Sequence, residues 1–181
     1  MPAISSSATT TTARLQQLLP QLFQPDTEAC DRYLKVNIAP DTPALIALDQ
    51  VQEAAQIPIH TVTPLPNLPP CILGVMNSRN QVLCVVDLAR VLQLPPSTAH
   101  RQIYPLVTVR PNQSENPTEF ALVLHHIQGV IRLPAQSIAP PTAAIVPELT
   151  PILRGCVEQN GQTLVVLDVA AIRATTALST L

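Results

Sequence analysis

The chain has 181 residues, a net charge of −2 and a single lysine, Lys35, which argues against nucleic acid and anionic membranes as main partners because both need basic patches. Charged residues make up 12% of the chain and aromatic residues 2%, so the core has to be aliphatic. The sequence contains no phosphate-binding loop and no GxGxxG motif. The four cysteines form no CxxC pair and no signal peptide is visible, which predicts a reduced, cytoplasmic protein.

The first 29 residues are predicted to be a tail that carries one short amphipathic helix. Residues 1–12 are rich in Ser, Thr and Ala, and an apolar stripe at helical spacing follows them at Leu15, Leu18, Leu19, Leu22 and Phe23. Pro20 lies inside the stripe, so the helix is kinked or restarts there. The folded domain is predicted to span residues 30–176, with a C-terminal tail at residues 177–181.

Short segments with strand patterns occupy the rest of the chain. Leu34, Val36 and Ile38 alternate with polar residues, a period of two that is typical of a half-buried strand. Further apolar runs of strand length lie at residues 45–48, 71–76, 81–86, 104–109, 120–124, 130–133, 156–158 and 163–167. Many short strands with Pro-rich turns favour a mainly β barrel or sandwich over alternating strands and helices.

Two parts of the chain resemble each other. Gly74 precedes Asp87 by 13 residues, and Gly155 precedes Asp168 by 13 residues. Upstream, residues 51–58 match residues 127–134. Each aspartate follows a strand and precedes a short helical run, so both are predicted N-caps that accept free N–H groups of the first turn. The repeat predicts two similar β units packed as halves of one domain.

The repeat singles out Arg79. Residues 159–162 read Gln-Asn-Gly-Gln, a strong signal for a type I′ hairpin turn because both central residues need positive φ. The matching residues 78–81 read Ser-Arg-Asn-Gln, so an arginine stands where the left-handed conformation costs it about 1 kcal/mol or more. Such a conflict often marks a functional position. The alternative is a longer, relaxed loop with a solvated arginine.

No residue cluster predicts catalysis, a metal site or a cofactor site. His125 and His126 are adjacent, so in a strand their rings point to opposite faces and cannot bind one ion. An enzyme hypothesis remains in which Asp87 and Asp168 form a general acid–base pair, and it predicts both carboxylates in one cleft. Another hypothesis is that the protein is a small-ligand sensor, which predicts a closed apolar pocket of at least ~300 Å³.

Three motifs carry a resemblance to a known family. Residues 63–66 read TPLP, residues 74–79 read GVMNSR and residues 85–88 read VVDL. In this order they resemble the CheW family of chemotaxis adaptors, and the resemblance covers residues 31–176, including the second copy of the repeat. Three features are similar to those of the PilI/PixI-type adaptors of cyanobacterial pilus-driven motility: the Met-Asn-Ser-Arg motif, the N-terminal extension and the high proline content. Asn80 replaces a family glycine and Cys84 a family proline, which puts partner affinity in question and could expose a thiol.

The resemblance implies a mainly β fold of two intertwined, five-stranded SH3-like barrels with short helices around a shared aliphatic core. It implies neither catalysis nor a cofactor. CheW-like adaptors couple a methyl-accepting chemoreceptor to a CheA-type histidine kinase, in chemotaxis or in type IV pilus motility and phototaxis. The receptor's helical hairpin is expected in the groove between the barrels, and the kinase's regulatory domain is expected at a barrel end.

The resemblance also assigns expected roles to single residues. Arg79 matches the receptor-contacting arginine of the family. The other residues expected on this receptor face are Val51, Glu53 and Asn77. Four residues of the repeat are expected to be structural: Gly74, Asp87, Gly155 and Asp168.

Overall fold

The computed structural model describes residues 30–96, 101–112, 118–141 and 147–176. The predicted tails at residues 1–29 and 177–181 lie outside these residues, and so does the predicted helix from Leu15 to Phe23. The described residues form a mainly β fold, which confirms the predicted fold class. The predicted boundaries between the domain and its tails stay predictions.

The described chain contains ten strands, which are β1 Cys30–Ala39, β2 Thr42–Ala47, β3 Val51–Pro58, β4 Ile72–Ser78, β5 Gln81–Asp87, β6 Ile103–Val109, β7 Phe120–Val123, β8 His126–Pro134, β9 Leu153–Gln159 and β10 Gln162–Leu167. Two short α-helices each follow a strand directly. Helix α1 (Leu88–Val91) follows β5, and helix α2 (Val169–Thr175) comes just after β10. Every predicted strand segment overlaps one of these strands, and β8 and β9 are longer than predicted.

Strand β3 is the strand that the sequence patterns did not predict. Its Gln, Glu and Ala residues are good helix formers, so local propensity gives no strand signal. In the structure β3 pairs antiparallel with β6, from Val51 opposite Val109 to Pro58 opposite Ile103. Pairing with a distant strand therefore overrides local preference.

The two sheets are built from equivalent strands in a permuted chain order. The first-repeat sheet has the order β3-β6-β7-β5-β4, and the second-repeat sheet has the order β8-β1-β2-β10-β9. Each sheet has one parallel pair at the equivalent place, β5 with β7 and β10 with β2. Because β1 and β2 complete the sheet of the last three strands, the two halves are intertwined as expected.

Each sheet is closed by a segment that follows its outer strand. After β3, Thr63 exchanges backbone hydrogen bonds of 2.8 and 2.9 Å with Val75 of β4. After β8, Ala139 exchanges two bonds of 2.8 Å with Cys156 of β9. These equivalent bridges join the outer strands of each sheet into a five-stranded, SH3-like barrel.

Two glycines of the repeat lie against these closing segments. A Cβ atom on Gly74 would lie 2.1 Å from the carbonyl oxygen of Thr63, and one on Gly155 would lie 2.7 Å from that of Ala139. No side chain fits at such distances without a backbone shift. The close approach of two backbones is therefore the physical reason for glycine at both positions.

The core has three parts. One cluster takes buried residues from both sheets and both helices, with Phe120, Leu122 and Leu167 among its members. A second cluster around Tyr33 and Leu164 lies within the second-repeat sheet, and a third cluster, which includes Val85, lies within the first-repeat sheet. Because this shared cluster buries apolar side chains of both sheets against each other, the hydrophobic effect holds the two barrels together.

Candidate functional site

Arg79 lies in a tight hairpin turn between two paired strands. Strand β4 ends at Ser78 and β5 begins at Gln81, so only Arg79 and Asn80 form the loop. Their φ angles are 47° and 63°, the left-handed values of a type I′ turn. The alternative of a longer, relaxed loop is therefore wrong.

The backbone of Arg79 is strained without any gain in packing. An arginine in the left-handed region costs about 1–2 kcal/mol relative to glycine, because its Cβ crowds the carbonyl oxygen. The side chain is 71% exposed, so burial does not offset this cost. Since uncompensated strain often occurs at functional sites, the turn is a candidate for recognition of a partner.

Glu53 of β3 is the acidic partner of Arg79. Arg79 Nη2 lies 3.3 Å from Glu53 Oε2, and the Glu53 side chain is 37% exposed. An ion pair with this much exposure contributes about 0–1 kcal/mol. The structure thus brings together two of the four residues expected on the receptor face.

The second half of the molecule has no equivalent of this ion pair. The repeat places Gly129 of β8 at the position of Glu53 and Asn160 at the position of Arg79. Asn160 and Gly161 form the matching turn with φ angles of 52° and 74°, which both residue types tolerate well. The charged pair and the strained arginine are features of the first half.

Val51 and Asn77 extend the same region along β3 and β4. Val51 is half-buried and packs against the shared core cluster. Asn77 is exposed and lies opposite Val82 in the antiparallel pairing of β4 with β5. The contact roles of all four residues stay predictions.

An open apolar groove includes Val82, which lies two residues after Asn80 of this turn. Its volume is about 260 Å³, and its wall includes residues of β4, β5, β7 and α2. The lining side chains are Leu65, Leu68, Val75, Val82, Cys84, Thr118, Glu119, Phe120 and Arg173. Because α2 follows the last strand of the second-repeat sheet, the groove lies where the two halves meet. Val82 is 72% exposed, more than any other large hydrophobic residue in the described part of the chain.

Sequence patterns did not identify this groove. Val82 and Cys84 belong to an apolar run that predicts a strand but not which side chains stay exposed. Phe120 comes next to Cys84 only through the parallel pairing of β5 with β7. Arg173 reaches the groove from a helix about 90 residues further along the chain, a contact that no local pattern reports.

Cys84 does not disturb the strand in which it replaces a proline. It pairs with Val75 on one side and with Phe120 on the other. Burial raises the pKa of the Cys84 thiol to about 11, and the nearby Cys71 adds to the shift. At neutral pH the thiol is therefore protonated and is a poor nucleophile.

Asp87 and Asp168 cap the two α-helices. Asp87 Oδ1 accepts hydrogen bonds from the backbone N–H groups of Ala89 and Arg90, and Asp168 Oδ1 accepts from those of Ala170 and Ala171. The Asp87 side chain is fully buried, and its Oδ2 lies 3.4 Å from Arg90 Nε. These positions contradict the hypothesis of an acid–base pair facing one cleft.

His125 is tied to Arg101 rather than to His126. Arg101 Nη1 donates to the His125 carbonyl at 2.7 Å, and Arg101 Nη2 lies 3.1 Å from His125 Nδ1. Burial lowers the pKa of His125, and the positive charges of Arg101 and His126 lower it further. Within the described ranges, no group of three His, Cys, Asp or Glu residues is arranged to hold a metal ion.

The lowered pKa of His125 makes the fold less stable in acid. The unfolded chain binds a proton at His125 more readily, so this contribution is complete above the ordinary histidine pKa and is lost as the pH falls through the lower, folded value. We expect the urea midpoint to fall between pH 7.5 and pH 5, and to fall less in His125→Gln. His60→Gln, at an exposed histidine that does not act on the His125 pKa, is the matched control. Identical pH profiles for wild type and His125→Gln would contradict the prediction.

Comparisons with known proteins agree with this fold. The CheW-like domain family matches residues 32–176. The structure is similar to the crystal structure of the scaffolding protein TtCheW from Thermoanaerobacter tengcongensis, with a TM-score of 0.65 and 17% identity, over 76% of this chain and 88% of that chain. No curated protein matches the sequence.

The fold and the extent of the match define the class of protein: the chain belongs to the family of CheW-like domains. Members of this family are non-catalytic scaffolds and adaptors of chemotaxis-type signal transduction. The predicted family is confirmed, while the PilI/PixI subtype stays a prediction. None of the helices in the described ranges has the length and apolar character that a membrane span requires.

Proposed function

We propose that this protein is a cytoplasmic adaptor that couples a methyl-accepting chemoreceptor to a CheA-type histidine kinase. The observation that carries the proposal is an exposed arginine, held in a strained turn, next to an open apolar groove. The output would be chemotaxis or type IV pilus motility, including phototaxis. Such an adaptor needs two separate binding surfaces on one rigid body and no reactive group.

The receptor's helical hairpin would bind in the groove. A helix that docks in this way places apolar side chains into an aliphatic floor, and a polar residue at the edge fixes its register. Val75, Cys84 and Phe120 would supply the floor, and Arg79 of the nearby turn would supply the polar anchor. Arginine suits this role because its planar guanidinium pairs with carboxylates at defined geometry.

The kinase's regulatory domain would contact the end of the first-repeat barrel. Ile59 and Ile103 are 42% and 52% exposed there, beyond β3 and at the start of β6. The Ile59 N–H donates to the carbonyl of the adjacent Gln102 at 2.9 Å, which holds the two isoleucines side by side. Two neighbouring exposed isoleucines support this end of the barrel as the docking surface, because contiguous exposed apolar residues mark interaction sites.

The small-ligand sensor receives less support. The groove beside Arg79 has about 260 Å³ and is open to solvent, whereas that hypothesis requires a closed apolar pocket of at least ~300 Å³. Native mass spectrometry of the purified protein checks this alternative. A co-purified small molecule would favour the sensor over the adaptor.

Replacement of Arg79 separates binding from folding. We expect Arg79→Ala to weaken binding of the receptor's hairpin-tip fragment by about 1–3 kcal/mol in a calorimetric titration, because an anchor is lost. Arg79→Asn should weaken binding similarly yet raise the free energy of unfolding by about 1 kcal/mol, because Asn tolerates the left-handed turn. Asn160→Ala, at the equivalent turn, should leave binding unchanged. Unaltered affinity in both Arg79 variants would disprove the role of Arg79.

Reconstitution with partners tests the whole proposal. The receptor fragment, a CheA-type kinase and this protein are combined, and autophosphorylation of the kinase is measured with and without the adaptor. We expect receptor control of phosphorylation only when all three are present. Receptor control of kinase autophosphorylation that is the same with and without the adaptor would contradict the proposed function. Turnover of a metabolite by the adaptor alone would also contradict it.

A further inference from the structure

Arg101 joins the start of β6 to the link between the two sheets. This link is Leu124 and His125, which lie between β7 and β8. Arg101 Nη1 donates to the His125 carbonyl oxygen at 2.7 Å, and Arg101 Nη2 lies 3.1 Å from His125 Nδ1. The Leu124 N–H donates to the carbonyl of Pro105 in β6 at 2.9 Å, and the His125 N–H donates at 2.9 Å to a carbonyl of β1. Arg101 therefore binds to a part of the fold that is itself held from two sides.

The segment that Arg101 anchors carries two exposed isoleucines at the end of the first-repeat barrel. Ile59 and Ile103, which we call the isoleucine surface, are 42% and 52% exposed, so packing holds them only in part. Gln102 follows Arg101 directly, and its carbonyl accepts a hydrogen bond from the Ile59 N–H at 2.9 Å. This bond lies beyond the last pair of β3 with β6, which is Pro58 opposite Ile103. The shape of the isoleucine surface therefore depends on where the backbone of Gln102 lies.

The contact of Arg101 with the His125 ring requires a neutral imidazole. Nδ1 accepts a hydrogen bond only while it carries no proton, whereas a protonated ring presents N–H groups and a positive charge to the guanidinium. Like charges at 3.1 Å repel, so protonation breaks this contact.

The charged and titratable groups that act on the His125 ring come from three elements besides its own link. They are Arg101 before β6, His126 at the start of β8 and Asp41 in the turn between β1 and β2. Burial lowers the pKa of His125, Arg101 and His126 lower it further, and Asp41 opposes them. The ring is therefore neutral at pH 7.5 and gains its proton only in acid.

We infer that Arg101 is a positioning residue for the isoleucine surface, and that protonation of His125 releases Arg101 and weakens docking of the partner at this surface. The inference rests on the proposed function and concerns the regulation of its kinase-facing surface. After release, residues 101–103 have to be ordered again when the partner binds, and this ordering lowers the affinity. By reciprocity, binding of the partner favours the neutral ring and keeps the proton off His125.

A purely structural role for Arg101 predicts a different pattern. If Arg101 only stabilised the fold, Arg101→Gln would lower the free energy of unfolding, and the folded variant would bind its partner as wild type does at every pH. If Arg101 positions the isoleucine surface, Arg101→Gln binds weakly at every pH, whereas wild type binds weakly only in acid. The pH profile of binding therefore distinguishes the two roles.

The experiment titrates the regulatory domain of a CheA-type kinase into the full-length protein at pH 7.5 and at pH 5. We expect wild type to bind about three- to tenfold more weakly at pH 5, because one released segment has to be ordered. His125→Gln keeps an acceptor but takes up no proton, so it should lose less than about twofold. Titration of the kinase domain itself affects all variants alike and cancels when each variant is compared with wild type.

His60→Gln is the matched control, because His60 is an exposed histidine next to Ile59. This variant should keep the full pH dependence of wild type. Loss of the pH dependence in His60→Gln, or its full retention in His125→Gln, would overturn the inference.

Hydrogen exchange in the free protein keeps this result apart from the proposed function. The Ile59 N–H is followed by NMR, and the Thr63 N–H, which donates to the Val75 carbonyl, is the control amide. We expect the protection factor of Ile59 to fall about three- to tenfold from pH 7.5 to pH 5 in wild type but not in His125→Gln, and that of Thr63 to change less. Equal protection of Ile59 at both pH values would contradict the inference. If protection changes as expected but the kinase domain binds at neither pH, the proposed partner is wrong and the release of Arg101 stands.

Discussion

Gly74→Ala is expected to be the most destabilising single substitution of the glycines described above. The new Cβ would lie 2.1 Å from the Thr63 carbonyl oxygen and 2.8 Å from Pro64 Cα, so one backbone has to move. Movement breaks the hydrogen bonds between Thr63 and Val75 that close the barrel. The φ of Gly74 is also +143°, a region that side chains avoid.

Two other glycines separate these costs. Gly129 has a φ of +150° but open space around it, so Gly129→Ala measures the backbone strain alone, about 1–3 kcal/mol. Gly155 is crowded by Ile138 and Ala139 without a positive φ, so Gly155→Ala measures the clash alone, again about 1–3 kcal/mol. Gly74→Ala combines both effects and is expected to cost about 4 kcal/mol.

Urea unfolding of the three variants checks this order. A loss of about 4 kcal/mol is a large share of the ~5–15 kcal/mol that stabilises a typical domain. If the Gly74→Ala chain does not fold at all while Gly129→Ala folds, the predicted order of the stability losses also holds. The prediction is wrong if Gly74→Ala unfolds at the same urea concentration as Gly129→Ala.

Asp87→Ala is expected to have the second largest effect on stability. It removes a helix cap, worth about 0.5–2 kcal/mol, and leaves the Ala89 N–H group buried without its acceptor, which costs about 1–3 kcal/mol more. Arg90 also loses the carboxylate that lies 3.4 Å from its Nε atom. The expected loss in the free energy of unfolding is about 2–4 kcal/mol, measured by urea unfolding with circular dichroism.

The repeat supplies the control for this prediction. Asp168 caps α2 with the same geometry, but its side chain is only half-buried, so water can reach the N–H groups that Asp168→Ala releases. That variant should lose about 0.5–2 kcal/mol. Asp87→Asn keeps an acceptor at the cap and should lose less than Asp87→Ala. Equal losses for the two alanine variants would show that burial of Asp87 adds nothing.

Much of the fold could be predicted because its signals are local. Alternation in β1, the apolar run of β5 and the Asn160-Gly161 turn each depend on residues close in sequence. The repeat then supplied what single segments lack, since the spacing of Gly74 and Asp87 recurs at Gly155 and Asp168. Strand β3 could not be predicted from the sequence, because its helix-forming residues become a strand only through pairing with β6.

The candidate site was predictable only in part. Arg79 stood out because it conflicts with its turn, a discrepancy visible in the sequence alone. Its ion pair with Glu53 depends on how the first-repeat sheet curls, and the groove depends on α2 reaching across to β5 and β7. Contacts between distant segments of this kind leave no trace in local spacing.

The permuted order of the strands sets the sequence in which the molecule can be assembled. The first-repeat sheet uses one continuous stretch of chain, from Val51 to Val123, so it can form while the remainder is still in the ribosome. The other sheet joins β1 and β2 to β8, β9 and β10, which follow the whole first-repeat sheet in the chain. The N-terminal hairpin of β1 and β2 therefore has to wait, with both of its outer edges unpaired, until β8 and β10 have been made, and only then can both halves bind partners.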